Sequence, residues 1–172
     1  MGLSVEPTQD SSKHSLSQPL EGYLVLEWGA WQAGPAASAL LGDLGANVIK
    51  IENRDSGDPS RGLEPAFDMR YKTARTCYYE AVNRNKRGIS IDLNKQLGKD
   101  IIYALVEKSD VFLTNFRPQV VERYQMGYET LSQRNPRLVY AMVSGFGLKG
   151  PDADRRSRSE ERRVGKECVQ PC

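Results

Sequence analysis

Tyr23-Leu-Val-Leu-Glu-Trp-Gly-Ala-Trp-Gln-Ala-Gly-Pro-Ala-Ala-Ser-Ala-Leu-Leu-Gly-Asp-Leu-Gly-Ala-Asn-Val-Ile-Lys-Ile-Glu52 places three structural signals in about 30 residues. Tyr23 to Leu26 is a short apolar run suited to a buried strand, after which the chain loops through Gln32-Ala-Gly-Pro35. Pro35 fits a first helical position, where its missing N–H is one the helix leaves unbonded. Ala36 to Leu44 then supplies strong helix formers, stopped by Gly45. Asn47 to Glu52 reads as a second strand. Strand, helix and strand this close together predict a right-handed, parallel β-α-β unit.

The pattern continues toward the carboxyl end. Residues 53–76 mix charge, Gly and Pro without a period and are expected to form a surface excursion that carries function. Regular structure is expected to resume at Gly88-Ile-Ser-Ile-Asp-Leu93, where Ile89, Ile91 and Leu93 alternate as in a half-buried strand. A helix follows, with Ile101, Ile102, Leu105 and Val106 assigned to its buried face. A strand over Asp110–Leu113, a loop over Thr114–Arg117 and a helix opened by Pro118 and stopped near Gly127 come next. A short helix over Tyr128–Arg134, a strand over Leu138–Val143 and the turn Ser144-Gly-Phe-Gly147 complete the pattern. Alternating strands and helices without an internal repeat predict an α/β fold, Rossmann-like, with a mostly parallel, doubly wound sheet.

Composition limits the function classes. The chain has 172 residues, of which 39% are hydrophobic, enough for one domain with a core and unlike collagen or a wholly disordered chain. No run approaches the roughly 18 apolar residues of a membrane span, and residues 1–18 lack the apolar run of a signal peptide, so the cytosol is the expected compartment. Those first residues are polar and are expected to form a disordered lead-in. They hold the one histidine, His14, so no Ser-His-Asp or Cys-His arrangement is expected in an ordered site. Two of the three cysteines, Cys168 and Cys172, lie near the end, and neither a disulfide framework nor a structural metal site is expected.

Residues 155–172 carry a net charge of +3 and leave −1 on the rest. Within them Arg158-Ser-Glu-Glu-Arg-Arg-Val-Gly-Lys-Glu-Cys168 resembles the translation of a sequencing-adapter oligonucleotide. The segment is expected to be read-through rather than native sequence and is excluded from fold reasoning. With its charge set aside, nucleic-acid binding has little support. The native domain is then expected over residues 19–154.

In open α/β sheets ligands bind over the carboxyl ends of the strands, so the informative loops follow Leu26, Glu52, Leu93, Leu113 and Val143. Gln32-Ala33-Gly34 opens a helix, where free N–H groups and the helix dipole favour an anion or a polarised carbonyl oxygen; a close-packed glycine turn is the alternative. Asn115-Phe116-Arg117-Pro118 follows a strand and Arg123 lies on the next helix, so both arginines are candidates for phosphate binding or simple solvation. Asn83-Arg-Asn-Lys-Arg87 reads by itself as a solvated charged face. Ser144 to Gly147 calls for positive φ or close backbone approach, or is a bare tight turn. No G-x-G-x-x-G is present, so a dinucleotide site would rest on fold alone.

One set of motifs runs in order along the chain: Pro19-Leu-Glu-Gly22, Gln32-Ala-Gly-Pro35, Leu44-Gly-Ala-Asn-Val-Ile-Lys-Ile-Glu52, Ser56-Gly-Asp58, Arg61-Gly62, Asn83-Arg-Asn-Lys-Arg87, Asn115-Phe-Arg-Pro118, Gly127-Tyr128, Asn135-Pro-Arg137 and Ser144-Gly-Phe-Gly147. In order and spacing it resembles the class III CoA-transferases, which include formyl-CoA:oxalate transferases, carnitine CoA-transferases and α-methylacyl-CoA racemases. The resemblance covers Pro19 to about Asp154. It implies an enzyme that moves CoA from an acyl-CoA donor to a carboxylic acid through an aspartyl intermediate, with CoA thioester as substrate and no prosthetic group. It also implies an interlocked homodimer of which this chain is an amino-terminal part. The family's nucleophilic aspartate is expected beyond the end of this chain, since Asp152 and Asp154 lie too close to the glycine turn, and the chain alone is expected to be inactive.

By motif, Gln32 and Ala33 match the family's loop against the thioester, where Gln32 is placed to hydrogen-bond an acyl carboxylate or oxyanion. Ile91, Asp92, Leu93 and Asn94 match a stretch contacting CoA. Asn115, Phe116 and Arg117 match the loop beside the nucleotide, and Arg123 an arginine that pairs with phosphate. Ser144, Gly145, Phe146 and Gly147 match the turn that packs on pantetheine. Where members near formyl-CoA transferase have an arginine after the lysine-isoleucine-glutamate strand, this chain has Asn53 followed by Arg54. An acyl-CoA racemase of the same family and a non-catalytic CoA-binding remnant are the alternative readings.

Overall fold

A computed structural model describes residues 18–62, 76–153 and 155. Almost all of the lead-in, the adapter-like segment and the middle of the 53–76 excursion lie outside these residues. Among the described residues five strands and five α-helices follow one another as β1 (Leu24–Trp28), α1 (Ala33–Asp43), β2 (Asn47–Asn53), α2 (Cys77–Asn83), β3 (Lys86–Ile91), α3 (Gln96–Val106), β4 (Val111–Thr114), α4 (Pro118–Arg123), α5 (Tyr128–Arg134) and β5 (Val139–Met142). The strands form one sheet in the order β3-β2-β1-β4-β5, and every pair is parallel. This is the Rossmann-like doubly wound order, reversing direction between β1 and β4.

Local chemistry explains the boundaries. The α1 helix begins two residues before Pro35, which falls in the first turn, where N–H groups have no intrahelical partner. Its end is a Schellman turn: the Ala46 N–H donates to Leu41 O and the Gly45 N–H to Gly42 O, with Gly45 at φ 100°. Strand β1 runs on through Glu27 to Trp28, past the expected end at Leu26. Strand β3 starts two residues earlier than expected, at Lys86, and stops at Ile91. The α2 helix was not anticipated; Thr76 caps it by accepting the Tyr79 N–H at 3.4 Å. The α4 helix ends at Arg123, short of Gly127, and Gln125 beyond it takes a left-handed φ of 60°.

Register divides the sheet into two faces. On one, Leu26, Trp28, Ile51, Ile91 and Phe112 join Ile102, Tyr103 and Val106 of α3, Val121 of α4 and Leu131 of α5 in the main core. Ile101 is 41% exposed and leaves this face, its expected place being taken by Tyr103; Leu105 is only partly buried. On the other face, beneath α1, lies a small apolar cluster of Val25, Ala46 and Val48. That face also carries Glu27 beside Lys50 in register, both buried. No helix of the described residues is long and apolar enough to cross a membrane.

Candidate functional site

A cavity of about 1270 Å³ lies over the carboxyl ends of all five strands. Its walls are the β1–α1 loop, the segment after β2, the ends of β3 and β5, and the β4–α4 loop. Of the residues singled out from the sequence, Gln32, Ala33, Ile91, Leu93, Asn115, Phe116, Arg117, Ser144 and Gly145 line it. Asp92, Asn94, Arg123, Phe146 and Gly147 do not. Asp92 Oδ1 instead accepts the Asn94 N–H and Nδ2, both at 3.0 Å. Arg123 is exposed on the last turn of α4, its guanidinium 5.7 Å from the Tyr124 ring centroid.

Asn115 closes the switch point from β4 to β1. Its Oδ1 accepts the Ala30 N–H at 3.0 Å and its Nδ2 donates to Ala30 O at 2.8 Å. Gly29 and Gly34 leave room for this side chain: a Cβ on Gly29 would stand 2.7 Å from Asn115 Oδ1, and one on Gly34 3.1 Å from its Cγ. The Gln32-Ala33-Gly34 turn is therefore both close-packed at Gly34 and open to the cavity at Gln32 and Ala33. Trp28 supports the same wall, with its ring 4.7 Å from Phe116 and 5.7 Å from Tyr124. Arg117 lines the cavity just before α4, half-buried. Asn53, at the departure from the formyl-CoA transferase pattern, accepts the Asp55 and Ser56 N–H groups at 2.8 and 3.1 Å and so shapes the turn after β2.

Charged side chains hold the opposite wall. Lys50 Nζ donates to Glu27 Oε1 at 2.9 Å and lies 2.9 Å from Asp58 Oδ2 in an ion pair without a hydrogen bond. Burial pushes the Asp58 carboxyl up, but the Ser60 N–H and the Lys50 ammonium outweigh it and hold it below the usual range. The Asn83–Arg87 cluster is not a uniformly solvated face: the Lys86 side chain is 2% exposed and donates to Glu27 Oε2 at 2.7 Å. Burial lowers Lys86 to about 8, against the pull of the Glu27 carboxylate. Glu52, the next-to-last residue of β2, takes two hydrogen bonds from Arg61 and one from the Tyr79 hydroxyl, each 2.8 Å. Burial raises its carboxyl, yet those bonds and the Asp58 N–H bring it down to about 2.

Sequence reasoning missed Trp31, Glu52, Asp58 and Tyr78 as cavity residues. One signal was available: Glu27 and Lys50 interrupt apolar strands in a parallel sheet, where both faces are covered and a charge needs a partner.

An all-parallel doubly wound sheet with a large cavity at its switch point defines the class, an α/β domain with its cavity where open sheets of this kind bind ligands. Residues 20–158 match CoA-transferase family III, and the chain belongs to that family. It is 40% identical over 138 residues to the succinate–glutarate CoA-transferase of Agrobacterium fabrum, covering 79% of this chain and 34% of that protein. It is 43% identical over 138 residues to the succinyl-CoA–D-citramalate CoA-transferase of Chloroflexus aurantiacus, covering 80% of this chain and 33% of that protein. The crystal structure of Rv3272 from Mycobacterium tuberculosis superposes with a TM-score of 0.79 at 32% identity, over 91% of this chain and 43% of that one. The chain thus spans about a third of the length of the curated relatives it matches.

Proposed function

We propose that this chain binds an acyl-CoA in the cavity over its strand ends, as the CoA-binding part of an enzyme that moves CoA from an acyl-CoA to a carboxylic acid. The observation that carries this reading is the cavity itself, which gathers the β1–α1 loop, Arg117 and Ser144-Gly145 around one space. The names of the relatives, a succinate–glutarate and a succinyl-CoA–D-citramalate CoA-transferase, support the reaction class.

In this reading Gln32 and Ala33 face the thioester, Asn115 to Arg117 border the nucleotide, and Ser144 to Gly147 pack on pantetheine. Ile91 to Asn94 contact CoA, and Arg123 takes a phosphate from its exposed position on α4. A carboxylate attacks the donor thioester to give a mixed anhydride and release CoA thiolate. The thiolate then attacks the enzyme's carbonyl, giving an enzyme thioester and freeing the donor acid; the acceptor carboxylate reverses the two steps and leaves with CoA. Asp58, the aspartate lining the cavity among the described residues, is a poor nucleophile because Lys50 and Ser60 occupy its oxygens. On the family resemblance we assign the nucleophilic aspartate to sequence that this chain does not contain, and the dimer and a cytosolic location to the whole protein.

Calorimetric titration of the chain with CoA tests the reading. It predicts saturable binding that weakens about tenfold in Arg117→Ala, through loss of a charge-assisted contact. It also predicts no exchange between succinyl-CoA and glutarate by the chain alone. Absence of binding, or exchange without an added chain, contradicts it.

A further inference from the structure

Four ionisable side chains form one chain of ion pairs under the start of α1, and the CoA chemistry above uses none of them. Asp58 to Lys50, Lys50 to Glu27 and Glu27 to Lys86 are separated by 2.9, 2.9 and 2.7 Å, and no member's side chain is more than 2% exposed. Two carboxylates and two ammonium groups cancel in charge. A buried ion-pair network is weak evidence of net stabilisation compared with apolar packing, so its use is sought in geometry.

Four of its bonds end on residues 29–38. Lys50 donates to Gly29 O at 3.1 Å, and Asp58 Oδ1 accepts the Trp31 N–H at 3.3 Å. Lys86 donates to Pro35 O at 2.7 Å, and Ser38 Oγ donates to Glu27 Oε2 at 3.0 Å. Between these anchors Trp31 has a φ of 66°, a conformation a side-chain-bearing residue keeps only where its surroundings impose it. Its ring is 47% exposed and lines the cavity directly before Gln32 and Ala33.

The geometry points to Lys50 and Asp58 as positioning residues, whose ion pair fixes the Trp31 backbone and thereby presents Gln32 and Ala33 to the bound acyl-CoA. The ligand in this inference rests on the function proposed above; the restraint on the loop does not.

Amide hydrogen exchange read by NMR on the full chain tests the restraint without a ligand. In the unmodified protein the Trp31 amide exchanges at least about tenfold more slowly than in an unfolded chain, as expected for a donor to a charged acceptor. Exchange at the unfolded rate overturns the inference whatever any variant does. In Asp58→Ala, Trp31 exchange rises about tenfold while Leu26 and Phe112 in the sheet keep their protection. Asp58→Asn, which retains the Oδ1 acceptor, restores most of the slow exchange. Acceleration of Trp31, Leu26 and Phe112 together marks a purely structural role and overturns the inference. CoA affinity falls about tenfold in Asp58→Ala and partly recovers in Asp58→Asn; unchanged affinity in Asp58→Ala overturns the link to the site. If the unmodified chain binds no CoA while Trp31 stays protected, the CoA reading fails and the loop restraint stands.

Discussion

The two faces of the sheet are held by different forces. Beneath α3, α4 and α5 the face is aliphatic and aromatic, with Ile102, Val106 and Phe112 fully buried and Phe112 stacked on Tyr140 at 5.6 Å. Beneath α1 the apolar cluster is small, and Glu27, Lys50 and Lys86 occupy the space that hydrophobic residues would otherwise fill. Apolar packing is non-directional and tolerates small adjustments, whereas an ion-pair network fixes distances and angles. The directional face is the one that abuts the β1–α1 loop, where a ligand has to be met by particular atoms. Strength and placement are divided between the faces.

The largest expected effect breaks the charged face. Lys50→Met leaves Glu27 and Asp58 buried with Lys86 as their remaining cation and should cost about 3–5 kcal/mol, measured by urea unfolding. Acid should do nearly as much at Glu52. Its folded value of about 2 lies below the usual 4.5, so its contribution is complete above pH 4.5 and is lost as pH falls toward 2. The loss is about 3 kcal/mol, and Glu52→Gln should remove this part of the acid sensitivity; an unaltered acid profile would contradict it.

The apolar face provides the contrast. Ile102→Val should cost about 1 kcal/mol by thermal unfolding, equally at pH 4 and pH 7, because no charge is involved. A pH-dependent loss there would blur the distinction between the faces. The smallest effect is expected at the exposed Arg134–Glu107 pair, 3.6 Å apart: Glu107→Ala should alter stability by less than about 0.5 kcal/mol.

The same division governs what the sequence discloses. Strand positions and the apolar face follow from local runs such as Val48-Ile49 and the helical spacing of Ile102 and Val106, since burial of apolar residues writes a period into the chain; the order of the strands in the sheet came from the fold. Ile101 was misplaced because its neighbour Tyr103, whose ring is apolar, took the inward position. Nothing local marks Glu27, Lys50, Asp58 and Lys86 as one unit, because they lie on four separate segments and a buried lysine is spelled like a solvated one. The α2 helix was hidden for a similar reason: Cys77-Tyr-Tyr-Glu-Ala-Val-Asn83 is rich in weak helix formers and is held by its cap and by packing on α1. Cavity residues on motif loops, Gln32 and Asn115 among them, were legible, but that Asn115 spends its side chain on Ala30 required the fold.

Mapping amide chemical shifts of the chain during titration with CoA tests the central claim most directly. The account predicts saturable changes concentrated at Gln32, Ala33, Asn115 to Arg117, Ser144 and Gly145, with the outer side of α1 at Leu40 and Leu44 unmoved. No changes at millimolar CoA, or changes centred on Leu40 and Leu44, would contradict it.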